Sequence, residues 1–338
     1  FLRGPASSLY GSDALGGIVA MDKVQPGDVL AGSRSATGLR SEAGYADVDG
    51  GWHVAAVGAA AAGPGDLLLG YVRREGHEPQ TAADVTPDPR DYTADSVLVK
   101  YRLGELESGP LTLAVEGGQV RQATSVDAFL GVGRFAATTR LVGDDRVRRY
   151  RASLDQAMPA RAWFDGLDWR VYVQGTDTRQ DSDETRRAVP PRTPPLQIDR
   201  RFRYDVRTLG AEATFVGARS GGSVRHDLVY GFEASRSHID ELRNGVQTDL
   251  ASGQSTQTLL GETLPARDLP LSDVTSIGVF LQDEISRPDG RWSLVPALRL
   301  DDYRLSPRSD RIYREDNPSS TPVDLHELVA LSAPRPCL

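Results

Sequence analysis

Apolar and polar residues alternate with a period of two over most of the chain. Val97, Val99, Tyr101 and Leu103 fall on one side, while Leu98, Lys100 and Arg102 fall on the other. Leu167, Trp169, Val171 and Val173 alternate with Asp168, Arg170, Tyr172 and Gln174. The same holds for Ile277, Val279 and Leu281 against Gly278, Phe280 and Gln282. It holds again for Trp292, Leu294, Leu298 and Leu300 against Ser293, Val295, Arg299 and Asp301. Such alternation predicts strands with one apolar and one polar or mixed face. No stretch carries a sustained helical stripe with caps. Even Arg146–Gln156, the best helical candidate, alternates better than it spirals. The pattern predicts strands near 36–48, 51–61, 66–76, 93–103, 110–121, 145–156, 164–178, 202–217, 223–238, 272–285 and 291–303.

The connections alternate as well. Short turns are expected at Gly63-Pro64-Gly65, Glu107-Ser108-Gly109, Ala157-Met158-Pro159, Ser220-Gly221-Gly222 and Pro288-Asp289-Gly290. Long polar or Pro-rich connections are expected near 77–92, 122–144, 179–201, 239–271 and from 304 onward. The first loop, Asp49-Gly50-Gly51, is the short exception. Tight turns at one end, long loops at the other and strands of about ten residues are the signature of an outer-membrane barrel. A soluble sandwich would have strands of about 5–6 residues and no such alternation of loop length. The expected fold class is therefore all-β, an antiparallel transmembrane barrel.

Composition narrows the function. With 39 Lys+Arg against 47 Asp+Glu the net charge is −8, which argues against a phosphate-neutralising nucleic-acid binder. The longest small-apolar run, Val54–Gly63, is too short for a membrane helix, but a barrel needs none. The single cysteine, Cys337, leaves no internal disulfide or cysteine-based metal site. Lysine occurs only at Lys23 and Lys100, an arginine bias of the kind that GC-rich genomes produce. The chain starts at Phe1 without a signal-like segment, so the beginning of a longer parent is expected to lie upstream.

The opening segment names a family. Arg3-Gly4-Pro5, Leu9-Tyr10-Gly11-Ser12, Ala14 and Gly16-Gly17-Ile18-Val19 resemble the end of the plug domain of TonB-dependent outer-membrane receptors. A phosphate-cradling loop would end in Gly-Lys-Ser/Thr, and this segment has no lysine. The remainder resembles the haem and haemoglobin receptor branch. The likeness runs through Tyr71–Glu78, Asp91-Tyr92, Thr208–Gly210 and Leu228–Gly231, and is clearest in Asp268–Asp273, Gly278–Glu284 and Pro296–Arg299.

The resemblance implies residues 1–24 as the end of a plug, 25–326 as the first half of a barrel, and 327–338 as an aberrant tail of frameshift-like composition. Eleven strands are half of the roughly 22 in such transporters. The FRAP and NPNL boxes that bracket a ligand histidine in haem receptors do not occur here. The resemblance further implies a bacterial outer-membrane location and active import of haem, free or from haemoglobin, driven by the TonB-ExbB-ExbD complex. Haem would be cargo rather than a resident cofactor. A ferric-siderophore or cobalamin receptor is the alternative cargo reading, and a soluble β-rich binding module the alternative class. An isolated half-barrel would expose two sheet edges to lipid, so these residues alone are expected neither to insert stably nor to transport.

Among five histidines, His77 and His238 are placed at the starts of long loops, where either could meet haem iron; His53 and His226 fall within strands, and His326 near the tail. The plain alternative is a solvated histidine. The polar faces of the strands supply Lys100, Arg102, Arg170, Gln174, Gln282, Glu284, Arg299 and Asp301 as expected lumen-facing residues, partners for a plug. Trp52, Tyr71, Trp163 and Trp292 are candidates for aromatic girdles. Gly131–Ala136 matches a loose dinucleotide fingerprint but lies in an all-β neighbourhood, and Asp47–Gly50 and Asp181–Glu184 read as polar turns rather than calcium loops. No hydrolase, zinc or P-loop motif is present, so no enzymatic activity is expected.

Overall fold

The computed structural model describes residues 2–3, 17–18, 22–31, 36–80, 87–104, 106–162, 164–221, 224–287, 291–308, 310 and 312. Eleven long strands dominate: β1 (Thr37–Ala46), β2 (Gly51–Ala62), β3 (Gly65–Gly76), β4 (Arg90–Leu103), β5 (Leu111–Ser125), β6 (Thr138–Arg161), β7 (Phe164–Arg186), β8 (Leu196–Gly221), β9 (Val224–Asp249), β10 (Leu271–Ser286) and β11 (Ala297–Arg308). Each pairs antiparallel with the next in chain order. The sheet is open among the described residues, with β1 and β11 at its two edges. The only described helix of α type, α1 (Pro26–Leu30), is one short turn, and no described helix is long and apolar enough to cross a membrane.

All eleven sequence-predicted strands are present, but four are much longer than predicted. Strands β6 to β9 run 24, 23, 26 and 26 residues, against 12 in β2 and β3. At about 3.3 Å per residue the longest extend roughly 85 Å. The long connections shrink accordingly to 77–89, 126–137, 187–195 and 250–270. Asp181–Glu184, read as a polar turn, lies inside β7. The cause is visible in the sequence of the extra length: charged residues replace the apolar band there, and the few apolar residues, such as Leu196, Ile198 and Ile239, fall on the other face, so the alternation fades while hydrogen-bonded pairing continues. Asp47–Gly50 is a turn as expected, closed by Gly50 at φ 56°.

Register fixes the two faces. One row runs Gly38, Ala59, Leu68, Lys100, Ala114, Ser153, Tyr172, Gly210, Ser235, Ser276, Tyr303 across the whole sheet. The opposite face carries Leu67, Tyr101, Leu113, Leu154, Val171, Ala211, Ala234 and Ile277 in one continuous row. Several direct cross-strand pairs set an aromatic ring over a glycine: Tyr172 covers Gly210, Tyr150 covers Gly175, and Phe280 covers Gly231. A β-carbon at these glycines would collide with ring atoms, so the pairs lock register by shape.

Candidate functional site

The first face is polar and holds the chain's own N-terminal segment. Val29 of α1 is buried against Ala59 and the fully buried Leu68, with Val57 and Leu98 beside them. Gly38 permits this approach: a β-carbon there would sit 2.6 Å from the Val29 carbonyl oxygen. Polar contacts reinforce it. Lys23 forms an ion pair with Glu116, Arg40 donates to the Asp28 carbonyl, and the buried Lys100 Nζ donates to the Lys23 carbonyl at 3.3 Å. The helix itself is set by Pro26 in its first turn and by Asp28, whose carboxylate accepts from the Gln25 backbone N–H at 2.8 Å.

All eight residues expected on the polar side share this face by register: Lys100, Arg102, Arg170, Gln174, Gln282, Glu284, Arg299 and Asp301. Arg170 is paired with Asp155 and, at 2.8 Å, with Glu212. Arg299 is paired with Glu233 and, at 2.8 Å, with Asp301. Gln174 accepts from Arg151 at 3.3 Å. Within the sheet Arg170 and Arg299 are already matched to carboxylates, each set spanning three strands, which holds this part of the face in a fixed charge pattern.

The opposite face divides into two bands. Near the short turns it is apolar and exposed, with Leu113 at 49%, Val173 at 45% and Leu298 at 61% exposure; Phe215 and Tyr230 stack on it at 5.1 Å. Trp52 and Tyr71 lie on this same face. Toward the long loops the same positions become charged: Arg148, Arg146 and Asp144 on β6; Asp177, Arg179, Asp181 and Asp183 on β7; Arg207, Asp205, Arg203, Arg201 and Asp199 on β8. Trp163 lies outside the described residues.

At the loop end, two buried carboxylates organise the strand extensions. Glu184 is fully buried, with Thr138 Oγ1 donating at 2.6 Å, Arg200 at 2.9 Å and Arg186 at 3.3 Å. Burial opposes its ionisation, but the Thr138 hydroxyl and the Arg200 and Arg186 guanidiniums outweigh that, so its carboxyl lies below the usual range. Glu241 is also buried and accepts from the Asp268 and Leu269 N–H groups at 2.7 and 3.3 Å. Burial pushes its carboxyl up. These bonds fold the 250–270 connection against the polar face. Leu259 and Leu264 pack there on Leu196 and Ile198, and Leu269 packs on Tyr204, Ile239 and Val274. Sequence reading missed Glu184, Glu241 and this inward-folded segment; the only signal was an acidic residue in each of two polar stretches, which many surface residues share.

The histidines are separated. His77 begins the 77–89 connection as expected, with its Nδ1 2.6 Å from an Asp91 carboxylate oxygen. His238 does not begin a loop. It lies within β9, opposite Arg207 and Asp273, because β9 continues eleven residues beyond it. His53, in β2, is the one described histidine strand residue on the polar face, 3.2 Å from Glu42. No group of three or more His, Cys, Asp or Glu side chains able to hold a metal ion occurs among the described residues. Gly131–Ala136 is a loop with a one-turn 3-10 helix at Gly133–Phe135. Of the opening motif, Arg3 and Gly17 pair through a two-residue ladder, whereas Gly4, Pro5, Leu9, Tyr10, Gly11 and Gly16 lie outside the described residues, as do His326 and residues 327–338.

A family model described as "TonB dependent receptor-like, beta-barrel" matches residues 68–322, about three quarters of the chain. No curated protein matches it. The match begins in β3 and extends past β11, over the strands that carry the apolar band on one face and the paired charges on the other. The chain belongs to the TonB-dependent receptor-like β-barrel family, outer-membrane proteins of Gram-negative bacteria that work in TonB-dependent transport.

Proposed function

We propose that this receptor imports haem, free or from haemoglobin, with the polar face as the barrel lumen and the long loops outside the cell. The observation that carries the orientation is the polar face gripping residues 23–31 while the other face presents an apolar band. A span of about 9–11 tilted residues fits that band, so the outer halves of β6 to β9 stand in water. Residues 1–24 are then the end of a plug that continues into α1, and TonB with ExbB and ExbD would act on that plug from the periplasm. The eight polar-face residues would face it. The open edges at β1 and β11 require further strands in lipid, so transport belongs to the completed barrel.

The haem assignment is supported by the ordered segments Tyr71–Glu78, Asp268–Asp273, Gly278–Glu284 and Pro296–Arg299. His77 fits a ligand role in one respect. Asp91 engages Nδ1, an orientation that leaves Nε2 of a largely exposed ring for iron. His238 fits less well, since it lies within β9 on the face opposite the polar one, between Arg207 and Asp273. The test is growth of an iron-starved host on haemin, with and without the intact receptor gene. Receptor-dependent growth and a haem absorbance band on the purified receptor, weakened in His77→Ala, are expected. Growth on a ferric siderophore or uptake of cobalamin, with no response to haemin, would overturn the cargo assignment.

A further inference from the structure

Beyond the apolar band, the outward face carries four arginines side by side. Arg121 of β5 is directly opposite Arg146 of β6, Arg146 is opposite Arg179 of β7, and Arg179 is opposite Arg203 of β8. Neighbouring strands lie about 4.8 Å apart, so the row spans roughly 14 Å. Like charges directly opposed across strands destabilise a sheet. One member of the row is neutralised within the sheet, since Arg179 pairs with Asp181 at 2.7 Å. Arg121, Arg146 and Arg203 make no ion pair or hydrogen bond among the described residues, and the Arg146 Nε is enclosed without a partner. The nearby carboxylates form rows of their own. Asp177, Asp205 and Asp240 align one same-face position below, and Asp144 and Asp181 one position above. None of these except Asp181 is ion-paired to the arginine row.

The row stands at a definite height. Gly117, Tyr150, Gly175 and Arg207 form the row that closes the apolar band, with the exposed Val115, Val173 and Leu209 directly beneath it. The four arginines lie four residues further along each strand, about 13 Å. With strands tilted about 40° this is about 10 Å of height. An arginine stem about 6 Å long can lie back along the strand and set its guanidinium about 4 Å above the band. That is within a headgroup layer about 5–8 Å deep.

We propose that Arg121, Arg146, Arg179 and Arg203 bind the phosphate groups of a lipid headgroup in the outer leaflet, whose acyl chains lie on the apolar band beneath. The inference rests on the outward orientation proposed above and is independent of the cargo. Guanidinium groups present paired N–H donors that match phosphate oxygens. A phosphate between neighbouring arginines also removes the like-charge repulsion that the sheet leaves standing. An amphiphile fits better than a free anion, because the same four strands offer an apolar surface directly below the cations.

The test uses the intact receptor purified in a non-ionic detergent. The probes are lipid A, lipid A dephosphorylated with phosphatase, and inorganic phosphate, and the readout is lipid retained per receptor on gel filtration. Parent receptor is expected to retain lipid A at least tenfold better than the dephosphorylated lipid, and millimolar phosphate should not displace it. Arg146→Gln with Arg203→Gln should weaken retention about tenfold, while Arg146→Lys with Arg203→Lys keeps most of it. Parent-like heat-modified migration of both variants shows that the barrel still folds. Equal retention of the two lipids, or of lipid A by parent and glutamine variant, overturns the inference, since the apolar band alone would then hold the lipid. Displacement by inorganic phosphate overturns it in favour of a free-anion site. A cysteine at Val173 separates the two readings. Labelling there by a lipid-soluble maleimide with equal lipid retention overturns the inference and leaves the orientation standing. Labelling in cells by a membrane-impermeant maleimide removes both together.

Discussion

Replacing Glu184 by Gln removes one charge with almost no change of shape, from a site where Thr138, Arg186 and Arg200 converge on it. Loss of one partner from a fully buried ion pair costs about 3–5 kcal/mol. Here Arg200 is 37% and Arg186 18% exposed, so water relieves part of that cost. A local loss of about 2–3 kcal/mol is expected. The site ties β6, β7 and β8 together at their loop ends, far from the apolar band, so the loss should open those ends without unfolding the sheet. Deuterium exchange is the assay. Amides of 180–186 and 196–202 should exchange roughly 30- to 140-fold faster, while 167–173 and 209–215 stay unchanged. Because the folded carboxyl lies below the unfolded one, the Glu184 contribution is present above about pH 4.5 and lost as pH falls through the folded value. Parent and variant should therefore converge in strong acid. Uniform acceleration along the strands, or none anywhere, would refute the view that the outer halves form a separate unit stapled by this carboxylate.

Glu241 should behave in the opposite sense. Burial raises its folded carboxyl, so the folded state holds the proton at higher pH than the unfolded one, and its stabilising balance declines as pH rises above about 4.5. Protection of the Asp268 and Leu269 amides, corrected for intrinsic rates, should be greater at pH 5 than at pH 8; the reverse order would contradict this. Gly38→Val should displace α1, since its β-carbon would meet the Val29 carbonyl, and a cysteine pair placed at Val29 and Ala59 should cross-link less in that variant. Gly210→Val should clash with the Tyr172 ring across the β7–β8 pair and cost about 1–3 kcal/mol, read as a lower midpoint for heat-modified migration in a detergent gel. An unchanged midpoint would show that the ring swings away freely.

Much of the fold was legible because its cause is local. Leu167, Trp169, Val171 and Val173 alternate in the sequence and share one face in the sheet, as side chains in a strand must. Lys100, Gln174 and Asp301 were assigned a common face by parity alone, and continuous register from β4 to β11 keeps them together. The errors have one source. Residues 179–186, 196–201 and 239–249 are rich in charge, and the apolar residues they hold, such as Leu196, Ile198 and Ile239, do not extend the apolar band of the opposite face, so the local pattern does not distinguish a paired strand from a loop. That misplaced His238 and Asp181–Glu184.

The sequence by itself determined where the strands alternate, which end carries long connections and which motifs resemble a receptor family, since each depends on neighbours within a few residues. Only the tertiary structure decided how far β6 to β9 extend and that Glu184 and Glu241 are buried staples. It also decided that Gly38 makes room for Val29 and that the 250–270 connection folds onto the polar face. These depend on groups that meet from distant parts of the chain. A carboxylate in a polar stretch looks alike whether solvated or enclosed, and its surroundings are set by the strands that close around it.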